Sequence, residues 1–383
     1  MKYVIVRCED GAPVGDHPAA LLEGAKTSHL HGLAQAGAAG LVRPHSRAAR
    51  GTPLDRFRLH RALFGLERRD AEASAGRCYA DAAGLALEPD ETAWCCELIT
   101  QRDGRIIDPT AGNIPTKESA PLLQALADEL GSETRRWKPG AGPHQVFLTR
   151  EPALGAQARH PVASPELLVG RAWKRHLPPG EEGEALRALI ERASAVLDAH
   201  PVNRVRVDLG EDPANAVWLW GAGTAAPVRP FAERAGFSGA IVSNSFLMRG
   251  FARSLGLEWL DGPASFGEAR LQRLWKAVAP VLERQDLLYV HVRVESGDPV
   301  ERLCAMERLD QLLLKPLTDL LPRLGPWRLL AAVDDRALGA VPFIAIGTGL
   351  PRQPAASLAA ERFAESPLAF RDGAGWFAWL TQA

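Results

Sequence analysis

Two hydrophobic periods alternate along this chain. Positions 2–7 form a short apolar run that gives way to a polar stretch over 8–18, the pattern of a buried strand entering a turn. Leu30, Leu33 and Ala34 then share one face at helical spacing, with Thr27 or Ser28 placed to cap the helix and Gly37 to stop it before a strand over 40–43. The far end repeats the alternation. It predicts a strand over 239–243, helices over 245–255 and 266–283, and a strongly apolar strand over 286–292. Asp298 caps a further helix that has Pro299 at its first position. Strands over 327–333 and 341–347 and a helix over 374–380 close the series. Strands alternating with helices predict an α/β fold, a mostly parallel sheet with helices on both faces.

The middle of the chain has another texture. Residues 92–100 and 105–107 flank a QRDG turn and predict a hairpin, followed by an amphipathic helix over 116–130 and a strand over 145–150. From 151 to 183 the chain is rich in Pro, Ala and Gly with weak periodicity, which reads as a long connection or a lid. A helix over 184–199 and a strand over 215–221, with Trp218 and Trp220 on one face, complete the block. It reads as a smaller α+β domain over 79–234, inserted into a core domain made of 1–78 and 235–383.

Composition narrows the class. With 46% hydrophobic and 24% charged residues in 383, the chain buries a sizeable core, and disorder is excluded. Forty-five basic against 46 acidic side chains leave a formal charge of -1, and the Arg are scattered. No global field draws such a chain to nucleic acid or to an anionic membrane. No apolar run reaches the roughly 20 residues needed to cross a bilayer, and MKYVIVRCEDG reads as a strand rather than a signal peptide, so a cytoplasmic location is expected. Cys8, Cys78, Cys95, Cys96 and Cys304 are odd in number without CxxC spacing, which predicts buried free thiols.

Chemistry gathers where parallel strands end. Acidic clusters follow three predicted strands: Glu9 and Asp10, then Glu295 and Asp298, then Asp334 and Asp335. If they converge, something cationic must neutralise them, either a divalent metal of the Mg or Mn type or an Arg network supplied by Arg293 and Arg336. Of the histidines, His17, His29, His31, His45 and His60 read as surface or capping residues, and His291 as a hydrogen-bonded core residue.

The order of these pieces resembles the archaeal-type, cofactor-independent (2,3-bisphosphoglycerate-independent) phosphoglycerate mutases of the alkaline phosphatase superfamily. KYVIVRCEDG and Ala25, Lys26, Thr27, Ser28 and His29 match the family's opening strand, Asp-Gly turn and AKTPN-like helix start. Gly76 and Arg77 match a GR-containing segment, and TAWCCELITQRDGRIIDPTAGNIPT matches its hairpin. Most specific are HPVN at 200–203 and PANAVWLWG at 213–221, with YVHV at 289–292 and VPF at 341–343 in support. The resemblance implies an alkaline-phosphatase-like core with an inserted domain that closes over a phosphoglycerate. It also implies two Mn or Mg ions and a Ser that takes and returns the phosphoryl group.

Position by position the implied site is incomplete. Asp10 matches the first metal-binding Asp and Asp334 the Asp of a DH pair, whose His is replaced by Asp335. The GSDVAN-like nucleophile stretch is met only by GTPLDR, which puts Thr52 or Arg56 at the Ser position. The DEAGH-like segment and the last His before VPF have no counterpart. Arg249 stands for a Lys, and of a PHD segment only His160 is left. Arg77, His160 and Arg249 remain as substrate contacts, with Thr52 and Arg249 as catalytic candidates. Arg293 and Arg336 are placed to stand in for metal charge, and Mn or Mg at a single residual site stays open. Two function classes follow: a non-catalytic homologue that binds a phosphorylated small molecule or serves as a scaffold for a partner protein, and an active metal-dependent mutase or phosphatase using Thr52. A homo-oligomer is expected from the resemblance alone.

Overall fold

The computed structural model describes residues 1–10, 24–42, 56–64, 66, 74–155, 162–263, 265–294, 298–333, 340–355, 357–358 and 360–382. The strands in chain order are β1 (Lys2–Asp10), β2 (Ala38–Val42), β3 (Thr92–Arg102), β4 (Arg105–Asp108), β5 (Arg135–Ala141), β6 (His144–Thr149), β7 (Ala216–Thr224), β8 (Gly239–Ser243), β9 (Glu258–Asp261), β10 (Leu287–Val294), β11 (Trp327–Val333), β12 (Val341–Gly347) and β13 (Ala369–Phe370). They form two sheets. The chain divides into two compact units, one of Met1–Arg69, Arg229–Ser245 and Gly256–Ala383, the other of Asp70–Val228 and Phe246–Leu255.

The first unit holds an eight-stranded sheet in the order β13-β2-β12-β11-β1-β10-β8-β9. β1 pairs in parallel with β10 and β11, and β10, β8 and β9 continue in parallel, while β12 runs antiparallel to both β11 and β2. β1 is therefore central. Val4, Val6 and Cys8 alternate into an apolar cluster with Val290, Val292 and the helix Glu268–Arg284. The helix Ser28–Ala36 begins at Thr27 as the sequence indicates, but neither Thr27 nor Ser28 caps it. Asp310, buried in a π-helical turn Asp310–Leu314, instead accepts the backbone N–H of His29 at 3.0 Å and of Leu30 at 2.8 Å. A carboxylate there satisfies orphan donors and complements the helix dipole.

The second unit is an antiparallel sheet with β3 between β6 and β7. The helices Thr116–Leu130 and Gly180–Asp198 share an apolar cluster with Val217, Trp218 and Leu219 of β7. The helix Ala75–Ala82 seats at Gly76, where an added Cβ would lie 2.1 Å from the Ala93 carbonyl oxygen. The helix Phe246–Leu255 reaches it at Gly250, where a Cβ would meet the Cys78 carbonyl oxygen at 1.6 Å. Such backbone contact makes Phe246–Leu255 part of the second unit, although periodicity alone groups it with the core domain. Within the weakly patterned stretch, Val162, Leu168, Trp173 and Leu177 are buried in the second core. No helix among the described residues is long and apolar enough to cross a membrane.

Candidate functional site

Side-chain alternation puts a polar stripe on one face of the first sheet. On β1, Arg7 and Glu9 point away from the cluster that takes Val6 and Cys8, and on β10 Tyr289, His291 and Arg293 recur at every second position. The parallel register sets Arg7 beside His291, Glu9 beside Arg293 and His291 beside Ser243 of β8. His60 comes from the helix Arg56–Leu63 and completes the group. It is only 3% exposed, so the surface or capping role expected from the sequence is corrected: its ring belongs to the buried network.

His291 donates from Nε2 to Glu9 Oε2 at 2.9 Å. Its Nδ1 lies 2.8 Å from Ser243 Oγ, which itself accepts the Ser245 N–H and so turns its proton to the imidazole. His60 Nδ1 lies 2.8 Å from the Tyr289 hydroxyl, and His60 Nε2 lies 3.7 Å from Glu9 Oε2. Arg7, fully buried, brings a guanidinium nitrogen to 3.1 Å from both ring nitrogens of His60. Arg293 Nε stands 3.8 Å from Glu9 Oε1. Burial first, and then the Arg7 charge, hold the His60 imidazole well below its usual pKa, so it is neutral at pH 7.

Glu9, His60 and His291 offer ligand atoms that all lie within 4.8 Å of one another, a two-His, one-carboxylate set. Electrostatics oppose a dication there. Two unit charges about 4 Å apart interact by about 4 kcal/mol at an effective dielectric near 20, so a dication meets about 8 kcal/mol of repulsion from each guanidinium and gains about 8 kcal/mol from Glu9. The net cost of about 8 kcal/mol offsets half or more of the roughly 10–16 kcal/mol a structural Zn site supplies. Here two guanidinium groups border the set, and the His291 Nε2 that a metal would need already donates to Glu9. Among the described residues the cations bordering this cluster are Arg7 and Arg293.

Of the residues singled out from the sequence, Thr52, His160, Asp334, Asp335 and Arg336 lie outside the described residues, as do Glu295 and the side chains of Asp10 and Arg56. Asp10 is the last residue of β1, in register with Val294. Arg293 is half-buried against Glu9, a carboxylate the sequence placed in the cluster without assigning it this role. Arg77 is engaged with Asp81 at 2.9 Å and with the Ala226 carbonyl oxygen at 3.3 Å. Arg249 is half-buried on the helix Phe246–Leu255 in the second unit. Asp298 is an exposed helix cap that accepts the Val300 N–H at 2.9 Å. Cys95 and Cys96 are buried and free, and burial pushes their thiols up in pKa.

Comparison with known proteins shows the kinship of the chain. A family model described as 2,3-bisphosphoglycerate-independent phosphoglycerate mutase matches residues 34–203. A protein of that name from Methanosarcina acetivorans is 31% identical over 332 residues, covering 83% of this chain and 81% of the relative. The 2,3-bisphosphoglycerate-independent phosphoglycerate mutase 2 of Methanothermobacter thermautotrophicus is 32% identical over 338 residues, 84% of this chain and 81% of the relative. Among solved structures, the cofactor-independent phosphoglycerate mutase from Thermoplasma acidophilum superposes with a TM-score of 0.57 at 22% identity, over 100% of this chain and 99% of that one. A protein from Pyrococcus horikoshii does so with a TM-score of 0.66 at 19% identity, over 99% and 97%. The structural likenesses carry the fold, a large mostly parallel sheet with helices, and the sequence likenesses carry the kinship. This chain belongs to the 2,3-bisphosphoglycerate-independent phosphoglycerate mutase family.

Proposed function

We propose that this family member holds a phosphorylated metabolite without two-metal phosphoryl transfer, acting as a metabolite-binding or scaffold homologue. One observation carries the reading. At the ends of β1 and β10, Arg7 and Arg293 supply the positive charge around Glu9, His60 and His291. A guanidinium neutralises a carboxylate through fixed N–H donors, but it cannot bind a hydroxyl and lower its pKa as a dication does. Electrostatic holding of an anion survives such a replacement; activation of a nucleophile does not. In the second unit Arg249 and Arg77 supply cationic side chains for the phosphoryl oxygens, Arg77 as a group already oriented by Asp81.

The test joins metal content to turnover. Protein purified without chelator should carry well under one equivalent of Mn, Mg or Zn by elemental analysis. It should bind 3-phosphoglycerate by calorimetry and fail to convert it to 2-phosphoglycerate with Mn added. Two equivalents of metal, together with interconversion that disappears in Thr52→Ala, would establish an active mutase instead.

A further inference from the structure

Another buried carboxylate, Glu97, lies in the middle of β3. Glu97 is 3% exposed within a run of buried neighbours, where an ionised group costs several kcal/mol unless donors surround it. Three do. Tyr79 O–H reaches Glu97 Oε1 at 2.5 Å, Trp220 Nε1 reaches the same oxygen at 3.3 Å, and His144 Nδ1 reaches Oε2 at 2.7 Å. Burial and the neighbouring carboxylate push the Tyr79 phenol well above its usual pKa, so it stays a donor. Trp220 can only donate. Glu97 therefore fixes the proton of His144 on Nδ1 and turns Nε2 to the opposite edge of the ring.

Glu97 and Tyr79 are buried, whereas Trp220 is partly buried and His144 reaches the surface with its side chain 26% exposed. The Phe246 ring lies parallel to the imidazole, 6.2 Å away at 9°. Phe246 is itself seated on the hairpin, since a Cβ at Gly140 would come within 3.0 Å of its ring. Arg249 follows Phe246 by three residues and so lies on the same side of that helix. On β5, Lys138 is the register partner of Val146, two residues from His144, which places the ammonium stem and the imidazole on one face of the hairpin. Lys138 is half-buried.

We propose that Lys138, His144 and Arg249 form an anion site for a phosphomonoester in the second unit, with Glu97 and Tyr79 as positioning residues that set the His144 tautomer. The inference rests on the reading that this chain holds a phosphorylated metabolite, and it names the groups that contact it. With Nδ1 held by Glu97, Nε2 faces away from the carboxylate, where it hydrogen-bonds the phosphoryl group while Lys138 and Arg249 balance the charge of the ester. Glu97 would then be retained for orientation rather than for stability.

The experiment uses the full-length protein with ¹⁵N-labelled histidine. Long-range ¹H–¹⁵N spectra distinguish ring tautomers, and His144→Gln identifies the His144 resonance among the ten histidines. Inorganic phosphate, 3-phosphoglycerate and glycerate are added in parallel. Phosphate and the phosphoester should move the His144 nitrogens while glycerate leaves them in place. His144→Gln should weaken 3-phosphoglycerate about tenfold by calorimetry, the equivalent of about 1.4 kcal/mol. Glu97→Gln should shift the His144 tautomer signature as well as the Kd. Tight 3-phosphoglycerate binding with unmoved His144 resonances and an unchanged Kd in His144→Gln overturns this site but leaves the metabolite reading standing. Absence of binding by any phosphate compound overturns both, and a response to glycerate alone overturns the phosphomonoester assignment. If His144→Gln fails to fold, the wild-type spectra with Glu97→Gln as the comparison decide the matter.

Discussion

Glu9→Gln isolates the central claim about the first unit. The substitution keeps volume and one hydrogen-bonding oxygen for His291 Nε2 but removes the charge facing Arg293 and, through His60, Arg7. Removing one partner of a buried ion pair costs about 3–5 kcal/mol, because the surviving charge stays desolvated. The Glu9 side chain is 4% exposed, whereas that of Arg293 is 16% exposed and stands a loose 3.8 Å away, so the lower end applies, about 3 kcal/mol. For a unit of some 150–250 residues each kcal/mol moves Tm by about 2–4 °C, which gives a fall of roughly 6–12 °C. Circular dichroism melts at pH 7.5 measure it, with and without EDTA, and the fall should be the same in both. Arg293→Gln in the Glu9→Gln background should then cost less than it does alone, since the charge it removes is already unpaired. A Tm within about 2 °C of wild type would refute the argument, as would a loss seen only in the absence of chelator, because a metal would then be the partner of Glu9.

Three further outcomes follow from the same geometry. EDTA dialysis should leave the wild-type Tm unchanged within about 1 °C, whereas a resident dication would contribute mass-action stabilisation that the chelator removes. The His60 pKa is depressed in the folded state, so the unfolded chain binds the extra proton below its value of about 6.5; stability present above that pH should fall by up to about 1.4 kcal/mol per pH unit on acidification, and urea titrations of His60→Gln should show this slope reduced. Asp310→Ala should cost about 1–2 kcal/mol by freeing the His29 and Leu30 amides, and a urea midpoint equal to that of wild type would show that another group caps the helix.

The fold was legible because its signals are local. Strands 239–243, 327–333 and 341–347 and the helix 116–130 coincide with their apolar runs. The Asp298 cap needed only the Asp-Pro step. Of the buried cluster, His291 was expected as a hydrogen-bonded core residue, whereas the apolar runs ended at Arg7 and Val292 and left Glu9 and Arg293 outside strands that extend to Asp10 and Val294. What alternation cannot supply is the partner from elsewhere in the chain. His60 is 53 residues from Arg7 and 229 from Tyr289, and nothing in RFRLHRAL marks one polar side chain of a basic helix as the buried one. Asp310 was hidden for the same reason, 280 residues from the helix it caps. Glu97 went unremarked within TAWCCELIT because its donors arrive from a helix and two other strands.

The two carboxylates answer the same physical problem in opposite ways, and the difference bears on function. Each sits in a buried strand beside a histidine on a neighbouring strand: Glu9 beside His291, and Glu97 in register with His144. In the first unit both imidazoles are buried, His60 is held neutral, and guanidinium groups close the circuit, so proton movement there is costly and the cluster behaves as a fixed charge balance. In the second unit the supporting donors are a phenol and an indole, neither of which brings a formal charge, and the imidazole extends to the surface. The carboxylate then orients a residue that solvent reaches. Responsive chemistry belongs to the second unit on this argument, and a ligand should perturb His144 while leaving the resonances of His60 and His291 in place.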